Sequence, residues 1–131
     1  MKFNRINIKS EKQTEFIDIT TTVKKIVVSE KFTDGLCSVF IPHTTAGITI
    51  NESADPDVVR DILKSLEKKV PYDDNYLHAE GNSAAHIKTL ITGSSVTVPV
   101  VDGKLVLGTW QGIYFCEFDG PRNRSYFVSL I

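Results

Sequence analysis

From Ser94 to Ile131, the last third of this 131-residue chain, apolar and polar side chains alternate with little interruption. Val96, Val98 and Val100 alternate into Asp102-Gly103. Leu105 and Leu107 alternate out of it, and two further runs follow, Ile113 to Phe118 and Ser125 to Ile131. A period of two places every second side chain on one face of a strand, and an Asp-Gly pair between such runs suits a tight hairpin turn. The pattern predicts an antiparallel C-terminal meander.

The earlier segments add helices to this β-rich texture. Phe3 to Ile8 alternates as a first strand. Phe16 to Ile19 runs into Thr20, read as the N-cap of a short helix with Val23, Ile26 and Val27 on one face. Leu36 to Ile41, bounded by Asp34-Gly35 and Pro42, is rich in β-formers and reads as a strand. Asp55 as N-cap and Pro56 at the first helical position open a helix, which carries Val58, Val59, Ile62, Leu63 and Leu66 until Pro71 stops it. A further helix starts at Asn82 and ends before Gly93. The expected class is therefore α+β: a β-rich sandwich with helices inserted between strands. With no repeat and no Pro/Gly/Ser-rich linker, residues 1–131 read as a single domain.

Composition narrows the function. A chain of 14.6 kDa buries roughly 70% of its unfolded surface and needs no disulfide or metal to hold a core. Cys37 and Cys116 lie in apolar alternating segments and read as reduced, buried side chains. Fifteen basic against 16 acidic residues leave a net charge of -1, without the cationic excess that nucleic acid requires. No apolar run approaches the roughly 20 residues of a membrane span, and the first residues lack a signal-peptide pattern, so a cytoplasmic location is expected.

The three histidines, His43, His78 and His86, all fall in or beside loops and helix starts that also hold Asn51, Glu52, Asp55, Glu80 and Asn82. His43 follows the strand that ends at Pro42, and His86 lies one turn beyond Asn82. Three converging imidazoles would match a zinc-type site with one position open for water or substrate. The opposing reading is three ordinary hydrogen-bonded histidines. Gly81-Asn82-Ser83 at a helix start and Thr44-Thr45-Ala46-Gly47 suit an anion, or are plain caps and turns. Arg122 and Arg124 suit a phosphate, or surface acids. Trp110, between Gly108 and Gly112, stands where a ligand or another backbone approaches closely, with core packing as the alternative.

The stretches PHTTAGITINESADPDVVRD and YLHAEGNSAAHIKTLITGSSVTVPVVDGKLVLGTWQGIYFCEFDGPRNRS, in this order, resemble the YjbQ family, small conserved proteins often labelled secondary thiamine-phosphate synthase. The likeness covers nearly the whole chain. It implies a sandwich-containing α+β fold, a homotrimer, and a polar pocket where His43, His78 and His86 bind a metal ion or an anion. It adds Asn51, Glu52 and Asp55, then Glu80 and Asn82, then Trp110 and Gln111, and finally Glu117 and Arg122 to that pocket. Where the family form reads Asn-Glu-Asn, this chain has Asn51-Glu52-Ser53.

The resemblance also implies a reaction at a low level: joining a hydroxymethylpyrimidine diphosphate to a thiazole phosphate with release of pyrophosphate. The partner is then a small anionic or phosphorylated metabolite. Glu52 or Glu80 would be the general acid or base, with His43 beside them, while Thr44, Asn82 and Arg122 hold phosphate. Three imidazoles suit zinc better than Mg²⁺, the usual companion of diphosphate, which prefers oxygen ligands. That mismatch keeps two other classes open, a metal-dependent hydrolase of a phosphate or amide and a non-catalytic trimeric metabolite- or metal-binding protein.

Overall fold

A computed structural model describes residues 1–131. In chain order the elements are β1 (Lys2–Lys9), β2 (Glu15–Asp18), α1 (Thr20–Ser29), β3 (Gly35–Phe40), β4 (Ala46–Glu52), α2 (Pro56–Lys69), α3 (Ser83–Thr92), β5 (Ser95–Val101), β6 (Lys104–Leu105), β7 (Gln111–Glu117) and β8 (Asn123–Leu130). The α+β class is as expected from the sequence.

Every strand pair is antiparallel, and the strands form two sheets, one ordered β1-β8-β3-β5-β6 and one ordered β2-β7-β4. The C-terminal runs are all strands, but they do not follow one another across a single sheet. β5 and β6 make the hairpin, with Asp102 and Gly103 both at positive φ, while β7 crosses to the small sheet and β8 returns between β1 and β3. The crossing has a physical reason. β7 is buried from Gly112 to Glu117, so it needs cover on both faces, which only a position between layers supplies.

Ile113 and Phe115 face the main core, shared by Val23, Val27, Val39, Ile48, Val98, Tyr126 and Val128. Tyr114, Cys116 and Phe118 face the other way, against Ala85 of α3, Val59 and Leu66 of α2 and Phe16 of β2. The layers are therefore large sheet with α1, core, small sheet, then α2 and α3. Each fully buried aliphatic or Phe side chain contributes about 1.5–3 kcal/mol.

Three local expectations change. Thr20 is the first residue of α1 rather than its cap; its hydroxyl donates to Asp18 and accepts the N–H of Ile113, tying the helix to β7. Asn82 precedes α3 without capping it: its Nδ2 donates to Asp119, and its buried Oδ1 accepts no hydrogen bond from the helix N–H groups. The Thr44–Gly47 segment is not an open loop, since Ala46 and Gly47 begin β4. A Cβ on Gly47 would stand 2.2 Å from Thr92 Oγ1 and 2.7 Å from the carbonyl oxygen of Gly93. The close approach at Gly47 is therefore made by the end of α3, not by a ligand. Asp55 does cap α2, accepting the N–H of Asp57, and both cysteines are buried and free.

Candidate functional site

Parity along β7 and β8 builds the floor of the site. Glu117 is in phase with Ile113 and Phe115, and Arg124 with Tyr126, Val128 and Leu130, so both charged side chains occupy core-facing positions at the end of the sandwich. There they pair: Arg124 Nη2 donates to Glu117 Oε2 at 2.6 Å and Nε donates to Oε1 at 2.9 Å. Ser10 donates to the same carboxylate at 2.6 Å, as do the N–H groups of Phe118 and Asp119 at 3.1 Å. Arg124 Nη2 also reaches Thr45 Oγ1 at 2.8 Å. Glu117 is fully buried, its carboxylate is engaged by Arg124, Ser10 and two backbone N–H groups, and it fixes Arg124 from beneath the cleft rather than lining it.

Above this floor opens a cleft of about 660 Å³. Its walls are His43, Thr44 and Thr45 from the β3–β4 connection, His78 and Glu80 from the loop before α3, Asn82 and His86 at the start of α3, and Asp119, Arg122 and Arg124 from the β7–β8 side. The three histidines thus share one cleft. Asp119, which sequence reasoning missed, organises its rim by accepting from Asn82 Nδ2 at 2.8 Å and Arg122 Nη2 at 3.0 Å. Its only sequence signal is its place in the turn that follows β7.

His43 is held in an unusual way. β3 ends at Phe40, opposite Phe127, so the backbone of Ser125 has no strand partner on that side. The imidazole takes the partner's place: Nε2 lies 3.1 Å from both the N–H and the carbonyl oxygen of Ser125. One neutral tautomer accepts from the N–H and the other donates to the carbonyl, so either is satisfied. The ring itself lines the cleft. Burial and then the positive charge of Arg124 hold His43 below its ordinary value of 6.5, leaving the ring neutral at pH 7.

The remaining residues of the expected pocket lie elsewhere. Asn51 and Glu52 end β4, opposite Gly112 and Gln111, whereas Ala46 starts it opposite Glu117 beside the cleft. Seven strand residues separate the two ends by about 20 Å. Asp55, Trp110 and Gln111 join that far group: Asp55 caps α2, the Trp110 carbonyl accepts from Ser53, and Gln111 Oε1 accepts from Gly108. Trp110 is 62% exposed. Within one chain, Glu80 is the acid/base candidate near the histidines and Glu52 is not.

Nor do the histidines form the expected zinc site as they stand. The rings of His78 and His86 meet edge to face at 5.6 Å, but no three His, Cys, Asp or Glu side chains are grouped to hold a metal ion. His43 Nε2 is committed to Ser125.

Two antiparallel sheets ending in a histidine-lined polar cleft define a small α+β cleft protein. A family model described as "UPF0047 protein YjbQ-like" matches residues 4–131, and the chain belongs to that family. It is 49% identical over 127 residues to a UPF0047 protein of Methanocaldococcus jannaschii, covering 97% of this chain and 92% of the relative. It is 48% identical to the UPF0047 protein YugU of Bacillus subtilis, covering 96% of each. Among solved structures, an uncharacterised YjbQ/UPF0047 protein of Clostridium acetobutylicum superposes with a TM-score of 0.95 at 56% identity, over 98% of this chain and 99% of the other. A hypothetical protein of Aeropyrum pernix reaches 0.95 at 34% identity, over 100% and 98%. No helix is long and apolar enough to cross a membrane.

Proposed function

We propose that the His43 cleft binds a small phosphorylated metabolite and uses His43 as a proton-transferring group, in the reaction class of thiamine-phosphate synthesis. The observation that carries this reading is the placement of His43. A neutral imidazole whose Nε2 is supported by the Ser125 backbone in either tautomer, in a cleft shared with Arg122 and Arg124, can take a proton and pass it on without losing its support. In the synthase reaction a thiazole nitrogen forms a bond to the pyrimidine methylene carbon. The carbon–oxygen bond to diphosphate breaks, and its electron pair leaves on the diphosphate. His43, neutral at rest, takes the acidic proton of the bound substrate's phosphate and passes it to the departing diphosphate oxygen, while hydrogen bonds from arginine stabilise the remaining charge.

The test supplies both substrates and identifies products. Thiamine phosphate with an equal amount of pyrophosphate is expected; inorganic phosphate without a joined product would favour a hydrolase. Binding without turnover would leave a metabolite-binding protein.

A second reading, a bound zinc-type ion, is favoured by the approach of His78 and His86. Its test is elemental analysis of protein prepared without tag or chelator, beside the variant His78→Ala/His86→Ala. About one ion per chain, lost in the variant, would establish it; no metal in either sample would remove it.

The chain is further proposed to work as a homotrimer. Phe3, 56% exposed, and Phe40, 44% exposed, flank Phe127 on the outer face of the large sheet, an apolar surface that association would cover. If the far group around Asn51, Glu52 and Trp110 belongs to the same site, as the family resemblance implies, it reaches the cleft from a neighbouring subunit. Light scattering in solution is expected to give three times the chain mass of 14.6 kDa, and a monomer would exclude this arrangement.

A further inference from the structure

The histidine cleft is not the most cationic part of this surface. Its two arginines face Asp119 and Glu117 at ion-pair distance, and Glu80 adds a negative charge. On the other side of His43 lies a second cleft of about 520 Å³, which no carboxylate lines. Arg5, Asn7 and Lys9 stand along one face of β1, in register with Phe127, Ser125 and Asn123, and Arg124 and His43 form the wall shared with the first cleft. Nothing in the sequence reading pointed to Arg5 or Lys9.

We infer that this second cleft seats a phosphate group of the ligand that takes no part in bond breaking, while the reacting end of the molecule crosses His43 toward His78 and His86. This rests on the phosphorylated-metabolite reading above. Two cations without an ion-pair partner, Arg5 and Lys9, stand there beside Arg124, whose charge Glu117 balances and whose position that pairing fixes. The Arg124 side chain is 7% exposed, with Nε and Nη2 engaged and Nη1 free of protein partners. A guanidinium fixed in advance loses little further freedom when an anion arrives. Arg5, with its guanidinium carbon 6.0 Å from the centre of the Phe127 ring, and Lys9 supply the mobile side of the clamp. The division of labour puts charge recognition on one side of His43 and proton transfer on the other.

The full chain is titrated with inorganic phosphate and with pyrophosphate, followed by backbone amide NMR. Wild type, Arg5→Gln/Lys9→Gln and Arg122→Gln are compared; all three side chains are exposed on the single chain, and an unchanged melting temperature with an unchanged mass by light scattering verifies folding and assembly, since Arg5 lies over Phe127. Losing two charge-assisted contacts is expected to weaken both anions about tenfold or more in the double variant, with the response at Asn7 and Asn123 lost. Arg122→Gln is expected to change affinity less than about threefold, as a rim contact already engaged with Asp119. Equal affinity in wild type and the double variant would overturn the inference, leaving Arg5 and Lys9 as guards of an edge strand. A response centred on Thr44 and Ser83 that Arg122→Gln abolishes would overturn it too, while sparing the phosphorylated-metabolite reading. No binding of either anion by wild type would sink both.

Discussion

Replacing Glu117 by alanine is expected to lower stability by about 3–5 kcal/mol, a large part of the 5–15 kcal/mol available to a domain of this size. Arg124 would remain as a buried guanidinium with only Thr45 as an acceptor, and Ser10 and two backbone N–H groups would lose theirs. Denaturant unfolding of Glu117→Ala, Arg124→Met and the double variant Glu117→Gln/Arg124→Met measures this. The double variant is expected to lose less than the two single losses combined, because it strands no charge. A loss below about 1 kcal/mol in Glu117→Ala would mean that water replaces the carboxylate. The same pair sets an acid limit. Burial pushes Glu117 up, but hydrogen bonds from Arg124, Ser10 and the Asp119 N–H, with the charge of Arg124, hold it below its ordinary 4.5. Its folded value is depressed, so its contribution is complete above 4.5 and is lost as pH falls through the folded value.

His43→Ala is expected to lower turnover by about 10²- to 10⁴-fold in the product assay, the range a single proton-transferring side chain supplies. His43→Gln separates chemistry from architecture: its amide can still bond the Ser125 backbone but cannot carry a proton. Activity equally low in both variants supports proton transfer, whereas recovery in the glutamine variant would reduce His43 to a strut. The wild-type rate should also hold on the acid side of 6.5 when it depends on neutral His43, because burial and Arg124 depress that group. A fall centred at or above 6.5 would contradict the role.

Elements bounded by strong local chemistry were legible in the sequence. Asp55 and Pro56 marked the start of α2, and Asp102-Gly103 marked the β5–β6 turn, because capping and positive φ are decided within a few residues. β4 was not, since Thr44-Thr45-Ala46-Gly47 looks like a loop and the strand is held by β7, which lies far along the chain. That the three histidines converge was one of two readings open from the sequence, because all fall in or beside loops and helix starts, and residues so far apart in the chain meet only through the fold. Separating the histidines from Asn51, Glu52 and Trp110 required knowing that a whole strand intervenes. The inward turn of Glu117 and Arg124 was recoverable from parity with Phe115 and Tyr126, had charge not suggested a surface.

The strand order also governs when this chain can fold. β7 is the centre of the small sheet, and β8 lies between β1 and β3 in the large one. As the polypeptide leaves the ribosome, β1, β2 and β4 must therefore wait for partners that emerge near the end of the sequence. Until then both sheets are missing an interior member, and several strand edges are open to other chains. Such non-local pairing slows folding and prolongs exposure to aggregation. A truncation that removes β8 would take away the only neighbour of β1 and one neighbour of β3, splitting the large sheet rather than shortening it.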